Sequence, residues 1–117
     1  MSKKLFLLAV LLIFTACGKD DVAIPQDVLT KEQMVDLLID IRIAEGMVGS
    51  VTMSEDSARA VFQAFEKRIF KEHQIDSVSY TRSHNFYLMH PNIYLEVTDA
   101  VLDSLKARNS RQYSRNY

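Results

Sequence analysis

Apolar residues recur at helical spacing in four stretches of this chain, and no stretch alternates long enough to mark a strand. The clearest start is Thr30, with Gln33 three residues on in a capping-box pattern, and Leu29 and Met34 at the hydrophobic-staple positions around it. Met34, Leu37, Leu38, Ile41, Ala44 and Val48 follow as one stripe. Val35, Ile39 and Ile43 widen it, which predicts a central helix that frays at Gly46 and Gly49. Ser54 is the next cap, and Ala58, Val61, Phe62, Phe65, Ile69 and Phe70 predict a second buried stripe. Lys67, Arg68 and Lys71 cluster near that helix's end, where the backbone dipole favours cations. Residues 73–78 read as a connection. A third helix is predicted over 79–89, with Tyr80, Ser83, Phe86 and Tyr87 facing inward. Pro91 stops it and suits the first turn of a fourth helix, where Tyr94, Val97, Val101 and Leu105 keep the spacing, with Thr98 and Leu102 beside them. The expected fold is all-α: a small single domain of about four short helices.

The N-terminus has a different pattern. Lys3 and Lys4 precede the apolar run 5–14, which is too short to span a bilayer and has the layout of a signal peptide. Ile13, Phe14, Thr15 and Ala16 before Cys17 resemble a bacterial lipobox, with Phe14 where Leu is usual. The resemblance implies cleavage before Cys17 and lipidation of its thiol and new amino group, including palmitate, so that acyl chains tie the protein to a membrane. It also accounts for the chain's one cysteine. Lys19, Asp20 and Asp21 then resemble the basic-acidic-acidic export signal of Bacteroidota surface lipoproteins. The expected division is a signal peptide over 1–16, a lipidated Cys17 and flexible linker over 17–29, a helical domain over 30–107, and a basic, disordered tail over 108–117.

Composition narrows the function classes. The 117 residues hold 14 basic and 15 acidic side chains, a net charge of −1, which gives no reason to expect nucleic-acid binding. Three glycines and two prolines are few for an all-β chain, and one cysteine excludes an internal disulfide framework. Charge is uneven along the chain. Residues 19–66 carry four basic and ten acidic side chains, whereas 67–117 carry eight basic and five acidic. Lys106, Arg108, Arg111 and Arg115 crowd the end, where they are candidates to touch anionic lipid headgroups or an acidic partner.

Two blocks carry a wider resemblance. The first is 24–29 (Ile-Pro-Gln-Asp-Val-Leu), then 34–41 and Ala44-Glu45. The second is Ile75-Asp76, Ser83, Tyr87, Pro91, Ile93-Tyr94, Val97 and Leu102. Together they resemble the small Bacteroidota lipoproteins of a domain-of-unknown-function family over residues 24–107. Phe86 fits the family's aromatic position before Tyr87, whereas Arg42 stands where other members often have a bulkier apolar or aromatic residue. The resemblance transfers no catalytic residue.

Candidate chemistry is sparse. His73, His84 and His90 lack the three- or four-residue spacing of a helical metal pair, so no metal site and no cofactor are predicted. Asp36 and Asp40 lie one turn apart with no companion nucleophile or base, which reads as a solvated acidic face rather than acid–base machinery. Tyr80, Phe86, Tyr87 and Tyr94 are the possible partner contacts, and they read either as core or as a partly exposed groove. The expected function is a non-enzymatic outer-membrane lipoprotein, an interaction and assembly module of the cell envelope with a membrane anchor at Cys17 and a protein partner. The alternative is a periplasmic chaperone-like factor for outer-membrane proteins. Surface-exposed and periplasm-facing placements both remain open.

Overall fold

Thr30 caps the first helix by the reciprocal bonds its sequence predicts: the Gln33 amide donates to Thr30 Oγ1 (3.2 Å), and the Thr30 amide donates to Gln33 Oε1 (2.9 Å). That helix, α1, runs Lys31–Gly49, and α2 (Glu55–Glu72), α3 (Ser77–Leu88) and α4 (Pro91–Asn116) follow it in the computed structural model. The structure describes Lys3 and residues 22–116, and no strand occurs among the described residues. The apolar segment 5–14, Cys17, Lys19, Asp20 and Asp21 lie outside them. The protein is thus a small all-α domain of four helices.

α1 is the central element, packed against both α2 and α4, and α3 leans on α4. Its stripe buries Met34, Leu37, Leu38, Ile41 and Ala44, with Ile39 beside them. Burying each large aliphatic chain contributes about 1.5–3 kcal/mol, so this one helix supplies much of what holds the domain together. From α2 the core takes Ile69 and Phe70 fully and Phe62 and Phe65 in part, but Val61, predicted as core, is 39% exposed at the stripe's edge. A bond between Asp40 Oδ2 and His73 Nε2 (2.7 Å) ties the middle of α1 to the end of α2.

α2 ends in a Schellman motif. The Ile75 amide donates to Phe70 O and the Gln74 amide to Lys71 O, and Gln74 takes the left-handed conformation this requires, at φ 55°. α3 then starts two residues before the predicted position because Asp76 is its cap, its carboxylate accepting from the Ser79 amide at 2.7 Å. That bond holds the Asp76 carboxyl below the usual carboxylate range. Ser77 and Val78 are exposed, so the first turn of α3 adds nothing to the buried stripe.

Two expected boundaries change. The linker over 17–29 is not free along its described length, since Val28 is buried and Ile24 and Leu29 pack on the core. The tail over 108–117 is not irregular, because α4 continues as one helix to Asn116 with every residue beyond Leu105 exposed. Serine hydroxyls at 110 and 114 donate to the carbonyls four residues back, which holds these polar side chains to their own helix.

Candidate interaction site

The aromatic series divides into a core residue and a partly exposed rim. Tyr87 has no solvent exposure, and its hydroxyl donates to Leu29 O at 2.8 Å. One turn earlier, the buried Ser83 hydroxyl accepts from the Leu29 amide (2.9 Å) and donates to Ser79 O (2.8 Å). Two side chains of α3 therefore satisfy both backbone groups of the residue that precedes the Thr30 cap. Arg82 adds a looser ion pair to Asp27 at 3.5 Å. Burial pushes the Tyr87 phenol up to about 12, with the Glu32 carboxylate adding to the shift. A side chain enclosed in this way cannot meet a partner, so Tyr87 leaves the set of candidate contacts. Its role is to clamp the entry segment.

Tyr80 and Tyr94 do come together, around a residue the aromatic pattern omits. The His84 ring stacks on Tyr80 (centroids 5.7 Å, planes 20° apart) and meets Tyr94 edge-on at 6.0 Å. Phe70 of α2 closes the far side of Tyr80 at 5.1 Å. Burial raises the Tyr80 phenol above its ordinary value, followed by the field of Glu66. The Arg42–Glu45 pair (2.8 Å) lies within electrostatic reach of both phenols. Phe86 belongs elsewhere, edge-on to Tyr87 and against His90, whose Nδ1 donates to Phe86 O at 2.7 Å.

An open surface follows the seam between α1 and α4, which the sequence pattern did not single out. One hollow of about 350 Å³ lies at the seam's start, floored by Val35, Val97 and Ala100 and flanked by the Lys31–Glu96 ion pair. A second, of about 230 Å³, is lined by Leu38, Arg42, Thr98, Val101, Leu102 and Leu105. Leu102, which lines this second hollow, is 50% exposed, and Leu95, seven residues before it on α4, is 60% exposed. That spacing repeats on one helix face, outside the buried stripe Ile93, Val97 and Val101.

Among the described residues, no three His, Cys, Asp or Glu side chains converge on a point where a metal ion would sit. No described helix is long and apolar enough to cross a membrane. Among curated proteins and among solved structures, none matches the chain significantly. A family model does match residues 25–111, from the clamped entry segment through all four helices and into the exposed end of α4. The chain is therefore a member of the family described as a domain of unknown function, DUF4296.

Proposed function

We propose that the chain is a non-enzymatic interaction module of the bacterial outer membrane, anchored by lipid at Cys17, with the α1–α4 seam as its partner-binding surface. The observation that carries the binding role is the pair of hollows along this seam, with half-exposed Leu102 lining the second and Leu95 exposed on the same face of α4. A groove of this kind suits an amphipathic helix or an extended peptide, whose apolar side chains would fill the hollows. The Lys31–Glu96 pair at one end and Arg42 at the other would set its orientation. The anchor rests on the lipobox-like residues before Cys17.

Two experiments test this reading separately. Cys17→Ala is expected to block acylation and leave uncleaved precursor, and a mutant acylated like wild type would refute the anchor. Leu95→Glu with Leu102→Glu is expected to remove a stoichiometric partner from detergent extracts while circular dichroism stays unchanged. If the double variant retains that partner, the seam is not the binding surface.

The alternative, a chaperone-like factor, draws support from a second apolar surface at the α3–α4 junction, where Leu88 is 52% and Met89 78% exposed. Methionine adapts to varied apolar shapes, as a client-binding surface requires. Suppression of client aggregation at substoichiometric ratio, lost in Met89→Glu, would favour it over a dedicated partner.

A further inference from the structure

We propose that the exposed end of α4 is an arginine comb that lays the domain against the phosphates of an anionic phospholipid surface. Arg108, Arg111 and Arg115 recur at intervals of three and four residues, so the continuous helix through Asn116 puts them on one face. At 1.5 Å per residue they cover about 10 Å along the axis, a stride suited to neighbouring headgroups. They border one broad, shallow hollow, completed by Gln112 and Asn116 and without an apolar residue. The hollow has no aliphatic or aromatic wall to seat a partner's apolar anchor, so its occupant is held by charge and hydrogen bonds alone. A plane of phosphates needs only donors and positive charge, which guanidinium groups supply in bidentate form. No Asp or Glu follows Asp103 in the chain, so the charge of this segment is uncompensated locally, although the whole chain carries −1.

The geometry agrees with an anchored protein, and in this respect the inference rests on the lipid-anchored reading. From Cys17 to Ile24, where packing on the core begins, an extended chain reaches at most about 24 Å. α4, with 26 residues, is about 39 Å long. A domain held on so short a lead and standing on end would keep its far tip away from the membrane. Lying along the surface, it brings the comb down onto the headgroups.

The test omits the anchor, so that its failure and the failure of the anchored reading remain distinct. Every described core contact lies between Ile24 and Leu105, so the chain from Gly18 onward retains the fold. That chain is sedimented with vesicles of phosphatidylcholine containing 40% phosphatidylglycerol, and with neutral phosphatidylcholine vesicles, at about 50 mM salt, where screening is weak. Binding to the anionic vesicles alone is expected. Each arginine near the surface is worth about five-fold in partitioning, so the triple variant Arg108→Gln, Arg111→Gln, Arg115→Gln should lose about 150-fold. The control Lys67→Gln, Arg68→Gln, Lys71→Gln removes the same charge from α2 and should change binding less than ten-fold. Equal loss in both variants would mean a response to net charge and would overturn the comb. Binding to neither vesicle, or binding to poly-glutamate but not to phosphatidylglycerol, would overturn it too, the latter assigning the face to an acidic protein. Release by millimolar inorganic phosphate at constant ionic strength would identify a free-anion site instead of a membrane surface.

Discussion

Replacing Tyr87 by Phe removes one hydroxyl and leaves the ring, which isolates what the clamp on Leu29 contributes. The ring has no solvent exposure, so no water takes the vacated place without a rearrangement, and Leu29 O loses its 2.8 Å donor. Leaving a buried acceptor unsatisfied costs about 1–3 kcal/mol. Leu29 itself is only partly buried, so the lower half of that range, about 1–2 kcal/mol, is expected. For a domain of this size, each kcal/mol lowers Tm by about 4–8 °C. Ser83→Ala removes the partner of the Leu29 amide and should cost about 1 kcal/mol. Both side chains hold the same residue, so once either is gone the entry segment loosens and the other bond weakens. The double variant should therefore fall short of the sum by about 0.5 kcal/mol or more. Urea unfolding followed by circular dichroism, with the m-value monitored, measures all three. Tyr87→Phe within 0.3 kcal/mol of wild type, or strict additivity, would refute the clamp. The same variant tests the titration. With the folded-state phenol at about 12 and the unfolded one near 10, the unfolded chain binds fewer protons between these values. Wild-type stability is then full below pH 10 and falls as pH rises from 10 to 12, at up to about 1.4 kcal/mol per unit, and Tyr87→Phe should lack this component.

Gln74→Gly should stabilise the domain by about 1 kcal/mol, because residue 74 holds φ at 55° in a conformation that costs a side chain about 1–2 kcal/mol and glycine much less; a loss in thermal unfolding would count against the Schellman geometry. Gly46→Ala should also stabilise, by about 0.5–1 kcal/mol, since it lies within α1 with open space where a methyl group would go, and chemical denaturation reads the gain directly. Asp40→Asn should cost no more than about 1 kcal/mol, because the Asp40–His73 bond is partly solvated on both sides; a larger loss would mean that this contact governs how α2 sits on α1. Replacing Lys19, Asp20 and Asp21 by Ala should move the protein from protease-accessible to protected in intact cells with Tm unchanged, and equal protection of wild type and variant would remove the surface-export reading.

Helix existence was legible wherever an apolar stripe coincided with a cap. Thr30 and Gln33 predict the start of α1 because the capping box is a local device, decided within four residues. The start of α3 was missed because it is marked by the Asp76 cap, while the buried stripe begins only at Tyr80. The two errors at the edges have opposite causes. Residues 24–29 contain a proline and polar side chains and read as linker, but Val28 is buried and Leu29 is held by partners 54 and 58 residues away. No local pattern encodes contacts of that range. The end of α4 reads as irregular because it has no apolar stripe, whereas its helix needs only the backbone ladder continued from a packed first half. As for the candidate site, spacing identified the aromatics but could not assign them. Tyr80, Ser83, His84 and Tyr87 share a helix face by register, and only the neighbouring elements decide that Tyr87 meets Leu29 while Tyr80 meets Phe70.

The clamp changes what the N-terminal segment can do. A linker free from Cys17 to Leu29 would let the domain wander about 40 Å from its attachment point. With Leu29 held at both backbone groups and Val28 buried, packing on the core begins at Ile24, seven residues after Cys17. A pull on the N-terminus would then act on two hydrogen bonds and a packed valine before it reached the Thr30 cap and the central helix behind it. The clamp residues lie on α3, which leans on α4, the helix whose other contacts form the seam where a partner is proposed to dock. With the proposed anchor at Cys17, this short reach would keep a docked partner close to the membrane. On the proposed reading, the order of α3 and α4 matters for function as well as for structure: α3 fixes the lead, and α4 presents both the seam and the arginine face.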